Sequence, residues 1–191
     1  MTLAHVPGPD IASDWVVRWA HLVRPGGTVL DLACGNGRHA RFFAARGHRV
    51  TACDRDAAAL AGMAAVPGIA TRQADLEDGS PWPFADSQFD AVVVTNYLHR
   101  PLLPAIAAAV APGGVLLYET FVLGNERYGK PSNPRFLLRR DELLEAFGRD
   151  LVVVGYEQGR VNRAKPALVQ RLCALRAGYL DNDLEPTEAP D

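Results

Sequence analysis

The stretch Val29-Leu30-Asp31-Leu32-Ala33-Cys34-Gly35-Asn36-Gly37-Arg38-His39-Ala40 constrains this chain more than any other. The apolar run Thr28 to Leu32 predicts a buried strand. Gly35-x-Gly37 breaks it, and a helical pattern begins at Arg38. A strand, a glycine turn and a helix in that order form the layout of a nucleotide-type cofactor site. Asp31 narrows the reading. A carboxylate near the end of a buried strand is costly unless something satisfies it, and a cationic ligand is one such partner. Gly35-x-Gly37-x-x-Ala40 also fits the loose dinucleotide pattern, but Asp31 would repel a pyrophosphate, which disfavours a nicotinamide-dependent oxidoreductase.

Elsewhere, strand-like and helix-like segments alternate. Ile11 to Val23 reads as an amphipathic helix, with Trp15, Trp19 and Leu22 on one stripe and Ser13 or Asp10 as its cap. It either packs on the domain or covers the cofactor pocket. Pro25-Gly26-Gly27 turns into strand one, Thr28 to Ala33, and the next helix spans Gly37 to Arg46, with Gly47 ending it. Then come strand two (His48 to Cys53), a helix (Asp56 to Ala64), strand three (Ile69 to Ala74), a loop from Asp78 to Gln88, strand four (Phe89 to Thr95) and a helix (Pro101 to Val110). Ala91-Val92-Val93-Val94 is continuously apolar, as the interior of a parallel sheet requires. Pro112-Gly113-Gly114 leads into strand five, Val115 to Thr120, and Asp141 to Phe147 is a short helix capped by Asp141. Leu151 to Glu157 and Lys165 to Ala174 are the last strands. Alternating strands and helices predict an α/β fold, a doubly wound sheet with helices on both faces. Residues 1–10 read as a loose lead-in, 11–179 as one domain, and 180–191 as an acidic, disordered tail.

S-adenosylmethionine carries an ammonium and a sulfonium but no phosphate, so an acid beside a glycine turn suits it. Asp31-x-x-Cys34-Gly35-x-Gly37 resembles the first motif of class I S-adenosylmethionine-dependent methyltransferases, and the resemblance runs through residues 13 to 175. It implies a Rossmann-like seven-stranded sheet of order 3-2-1-4-5-7-6, with strand 7 antiparallel. It further implies that Asp31 meets the methionine ammonium, and that Ala33, Gly35 and Gly37 let backbone approach the methionine portion. Asp54, after strand two, would accept both ribose hydroxyls; as the cap of the next helix it has a substitute in Asp56. Asp75 resembles the acid that receives the adenine amino group, with the Leu76 N–H on a ring nitrogen. Arg55 lies against the adenine face or is a solvated surface residue. Cys34 sits beside a helix start and near His39, yet small residues and cysteine are common at this loop position in the family, so it reads as packing.

Methyl transfer from a sulfonium is an in-line displacement that needs positioning and, for some acceptors, a base. No metal is expected. The acceptor side should be the loops after strands four and five. In Asn96-Tyr97-Leu98-His99, Asn96 contacts the cofactor or fixes the loop, and Tyr97 walls the pocket. His99 is the candidate base, or else a helix-entry histidine bonded to backbone. The segment 121–140 is long, polar and patterned, and reads as a substrate lid. Arg127, Lys130 and Arg135 suit an anionic acceptor or form a solvated basic loop, with Glu119 and Tyr128 as further pocket candidates. The whole combination resembles small bacterial methyltransferases of the tellurite-resistance type, which implies a small-molecule acceptor. An RNA or protein acceptor, or cofactor binding without catalysis, is the alternative.

Bulk properties limit the choice further. Net charge is −2 and the pI about 6.2, which argues against broad nucleic-acid binding. Three cysteines at spacings that fit no metal site suggest reduced thiols. No apolar run spans a bilayer and residues 1–10 show no signal-peptide pattern, so the expected location is cytoplasmic.

Overall fold

A computed structural model describes residues 11–161 and 165–178. The proposed lead-in, the Asp10 cap and the acidic tail lie outside them. Seven strands form one sheet: β1 (Thr28–Leu32), β2 (Arg49–Asp54), β3 (Ile69–Gln73), β4 (Phe89–Thr95), β5 (Val110–Phe121), β6 (Val152–Val161) and β7 (Ala167–Leu175). Their order is β3-β2-β1-β4-β5-β7-β6. β1 to β5 pair in parallel, and β7 runs antiparallel to both β5 and β6, as the resemblance implied. Among the described residues, no helix is long and apolar enough to cross a membrane.

Strand alternation builds two cores, one on each face. Leu30, Leu32, Val92, Val94, Leu116 and Tyr118 face α4 (Leu103–Ala108) and α5 (Glu142–Phe147). Val29, Val50, Ala52, Ala91, Val93 and Leu117 face α1 (Asp14–Trp19), α2 (Arg38–Ala44) and α3 (Ala57–Ala61). Ala91 to Val94 are 0% exposed, so β4 is covered on both sides. Ser13 caps α1 by accepting from the Val16 N–H, and a 3₁₀ turn at Ala20–Leu22 ends the expected longer helix. The Trp15 indole donates to the Leu172 carbonyl, which seats α1 over β7.

Two local expectations change. Pro112-Gly113-Gly114 does not delimit β5. Pairing starts at Val110 opposite Phe89 and continues through an irregularity to Glu119 opposite Thr95. A Cβ at Gly114 would lie 2.9 Å from the carbonyl oxygens of Phe89 and Ala111, so glycine permits that close backbone approach. Asp141 stands at the start of α5 in a left-handed conformation, but its side chain accepts from the Tyr156 hydroxyl instead of capping the helix.

Glu119, expected in the acceptor pocket, is instead a sheet-interior residue. It is 0% exposed and opposite Arg171 in the β5–β7 register. Arg171 Nε donates to Glu119 Oε2 at 2.7 Å, and its Nη1 reaches Glu157 Oε2 at 3.1 Å. Arg18 of α1 also pairs with Glu157. Antiparallel pairing of β7 creates this contact, and a buried carboxylate requires such a partner. Glu119→Ala should lower the unfolding free energy in chemical denaturation by about 3 kcal/mol, because it leaves Arg171 buried without that partner. Cofactor affinity should stay within about twofold, as expected for a loss confined to the sheet.

Candidate cofactor site

The C-terminal ends of β1 to β4 converge on a cavity of about 240 Å³, lined by Ala33, Asp54, Arg55, Ala74, Asp75, Leu76, Glu77, Asn96 and Tyr97. Seven of these were singled out from sequence; Ala74 and Glu77 were not. Ligands of doubly wound sheets bind at this edge because side chains within the sheet are enclosed by helices. Two non-glycine residues in the cavity wall hold left-handed backbone, Ala33 (φ 51°) and Asn96 (φ 56°). Such conformations persist where surrounding structure imposes them, and they collect at functional sites.

The two turn glycines do different work. Both have positive φ, but a Cβ on Gly35 would meet nothing within 4 Å, whereas one on Gly37 would fall 1.6 Å from the Met63 sulfur. Gly35 leaves open space above the backbone for a ligand. Gly37 lets Met63 pack against the loop. The Gly35 N–H donates to Asp54 Oδ2 at 2.7 Å, and Asp54 Oδ1 accepts the Asp56 N–H at 3.0 Å. Each Asp54 oxygen thus takes one backbone donor and retains accepting capacity. Asp56 caps α3, as expected, through the amides of Ala58 and Ala59. Asp75 Oδ1 accepts the Glu77 N–H at 3.0 Å, turning the chain after β3.

Asp31 lies beneath the turn. Alternation places it on the α2 side of the sheet, 1% exposed, where Oδ2 accepts the Ala40 N–H at 2.8 Å. Burial pushes its carboxyl up to about 7, although the Ala40 amide and Arg38 act in the opposite sense. Cys34 has its thiol pushed far up, chiefly by burial and then by Asp31 and Asp54, so it is no thiolate nucleophile. His39 Nε2 accepts the Ser13 N–H at 3.2 Å, and its Nδ1 lies 3.3 Å from Thr95 Oγ1. These contacts tie the start of α1 to the sheet. No α1 residue lines the cavity, and the packing reading of that helix holds.

Two of the cavities that adjoin the first share Glu77 with it. One, of about 280 Å³, shares Arg55, Glu77, Asn96 and Tyr97 and adds Leu98, Pro131 and Phe136. The other, of about 480 Å³, is bordered by Glu77, Leu98, His99, Arg100, Pro101, Asn133, Arg135 and Phe136. His99 therefore sits beside the first cavity, with Nδ1 3.9 Å from Glu77 Oε2, beyond hydrogen-bond distance. Among the described residues the buried Tyr97 hydroxyl has no hydrogen-bond partner, and burial, followed by Glu77, pushes its titration well up.

Segment 121–140 is anchored at its base. The Leu123 N–H donates to the Leu138 carbonyl, the Leu138 N–H donates to the Phe121 carbonyl at the end of β5, and Arg100 donates to the carbonyls of Arg135 and Leu137. Arg100 also forms a two-pronged pair with Glu142, at 2.6 and 3.0 Å. Burial alone would raise the Glu142 carboxyl; Arg100 and the Arg139 N–H outweigh it and hold it low. Sequence reasoning missed both partners, since nothing in their spacing, 42 residues apart, links them. Of the segment's basic residues, Arg135 lines a cavity. Arg127 and Tyr128 are exposed and belong to none of these three cavity walls, and the Tyr128 ring lies 5.7 Å from the Arg160 guanidinium.

The Asp31 shift has a pH consequence. An acid with a raised folded-state pKa binds its proton more tightly in the fold. Its contribution to stability is complete below about pH 4 and is lost as pH rises to about 7. Asp31→Asn should remove this slope. Urea denaturation should show wild type losing about 2–3 kcal/mol more than the variant between about pH 5 and pH 8.

Comparison with known proteins agrees with this layout. Residues 29–114 match the family described as methyltransferase domain. The ribosomal protein L11 methyltransferase of Burkholderia mallei is 36% identical over 112 residues, covering 56% of this chain and 35% of that protein. The trans-aconitate 2-methyltransferase of Methylobacterium nodulans is 37% identical over 95 residues, covering 46% of this chain and 36% of that protein. The matches thus span about a third of these curated relatives' length. TehB from Haemophilus influenzae superimposes with a TM-score of 0.73 at 19% identity, over 86% of this chain and 62% of that one. The N-methyltransferase NodS from Bradyrhizobium japonicum gives 0.64 at 16%, over 84% and 93%. At such identities the structures attest the fold. Sheet order and the glycine turn agree with the fold of these solved methyltransferases, and residues 29–114 carry the match to a methyltransferase domain.

Proposed function

We propose that this chain transfers a methyl group from S-adenosylmethionine to a small acceptor. The single observation that carries the reading is the cavity at four strand ends, where the Asp54 carboxylate holds the Gly35 amide and Gly35 faces open space. These features fit the donor. Asp54 can accept ribose hydroxyls with its remaining lone pairs, Asp75 and Leu76 border the adenine end, and Ala33 and Gly35 border the amino-acid end. Asp31, buried behind the turn, reaches the ammonium only through the loop or a water. When bound, the donor supplies a methyl group already activated on a positive sulfur.

The chain's own residues orient and enclose. Asn96 and Tyr97 form the wall between donor and acceptor sides, and His99 stands on the acceptor side as the group to receive a proton. The segment 121–140 acts as a lid hinged on its anchored base, with Pro131 and Phe136 facing Tyr97 and Leu98 across the adjoining cavity. Arg135 supports an acceptor bearing a negative charge, and it borders the same cavity as His99.

Calorimetry tests the donor. S-adenosylhomocysteine should bind and NADH should not; the reverse result sinks the reading. Asp54→Ala should weaken S-adenosylhomocysteine at least about tenfold by removing two charge-assisted hydrogen bonds. Asp54→Asn, which keeps an acceptor for the Gly35 amide, should weaken it less, and unchanged affinity in both would exclude the ribose role.

For His99, the measurement is the chemical step in rapid-quench single turnover, once a screen of small thiols, amines, oxyanions and carboxylates has found an acceptor. His99→Ala should slow it about 10²-fold or more with cofactor affinity kept. A full rate would remove His99 as base.

A further inference from the structure

Glu77 borders all three adjoining cavities; every other lining residue borders at most two. Its backbone is fixed by the Asp75 carboxylate, so the acid at the adenine end also sets where the next acid stands. Its side chain is 39% exposed and approaches His99 on the acceptor side. Glu77 also acts on the Tyr97 phenol at the boundary between the two sides, second to burial in holding that group protonated. In addition to Asp54 and Asp75 on the donor side, a carboxylate therefore stands where the donor and acceptor spaces meet, the boundary that a transferred methyl group crosses. The cations bordering the same space are differently placed. Arg100 is neutralised by Glu142, Arg135 stands in the acceptor-side cavity, and Arg55 lines the donor cavity and the one next to it.

We infer that Glu77 makes this site selective for ligand charge, favouring S-adenosylmethionine over S-adenosylhomocysteine. The inference rests on the methyltransferase reading. The two ligands differ by a methyl group and by the positive charge on sulfur, so a nearby carboxylate attracts one and is nearly indifferent to the other. The attraction ends when the methyl group has left. Glu77 thus strengthens the hold on substrate relative to product, so that product competes less well for the site, while product release itself is left nearly unchanged. A half-exposed charge several ångströms away in a partly wet cavity has a modest effect, about threefold to tenfold in affinity.

The test is calorimetry on the full chain with S-adenosylmethionine, S-adenosylhomocysteine and an analogue carrying an amine in place of the methylsulfonium. In Glu77→Gln, the preference for either charged ligand over S-adenosylhomocysteine should fall about threefold to tenfold, with S-adenosylhomocysteine changed less than about twofold. Glu77→Asp, which keeps the charge, should retain most of the preference. Raising the salt concentration should shrink the wild-type preference and leave Glu77→Gln nearly unaffected. An unchanged preference in Glu77→Gln, or equal weakening of all three ligands, would overturn the inference while leaving the methyltransferase reading intact. Failure of S-adenosylhomocysteine to bind wild type would overturn both.

Discussion

Burial of the sheet on both faces is the constraint from which the rest of this structure follows. With Ala91 to Val94 covered on both sides, and α1, α2 and α3 on one face opposite α4 and α5 on the other, polar side chains have few places inside. They collect beyond the C-terminal edge, where parallel strands end together and the connecting loops leave a gap. Asp54, Asp75, Asn96 and Tyr97 come from three different strand ends, yet line one cavity for that reason.

The charged residues that remain inside the sheet illustrate the same constraint by exception. Asp31 accepts the Ala40 amide and still titrates near 7, because one hydrogen bond offsets only part of its desolvation. Glu119 is held by Arg171 across a strand pair. Neither lines the cavity. Asp31 ties β1 to the start of α2 and so shapes the glycine turn from below.

The acceptor side is assembled differently. Arg100, immediately after His99, grips Glu142 and two carbonyls of the segment between β5 and α5, so the loop after β4 and this segment are tied together at their base. Phe136, Pro131 and Arg135 are carried on that base toward the cavities.

Much of this was legible in the sequence. Hydrophobic periodicity marked the elements, glycines marked the turn, and acids at the ends of apolar runs marked the cavity edge, because each is a local signal. Alternation along β1 puts Val29 and Asp31 on one face, and the packing of α2 on that face decided that Asp31 is enclosed. Other features depended on partners distant in the chain. The identity of the residue opposite Glu119 follows from the register of β7, and the Arg100–Glu142 pair from the packing of α5. Gly35 and Gly37 look equivalent as letters and were separated by what lies above them, open space in one case and Met63 in the other. The sequence by itself determined a doubly wound sheet with a cofactor edge, since local propensity and burial pattern suffice for that. Only the tertiary structure decided which polar groups face the cavity and which are enclosed, because that depends on strand register and helix packing, which bring together residues from remote parts of the chain.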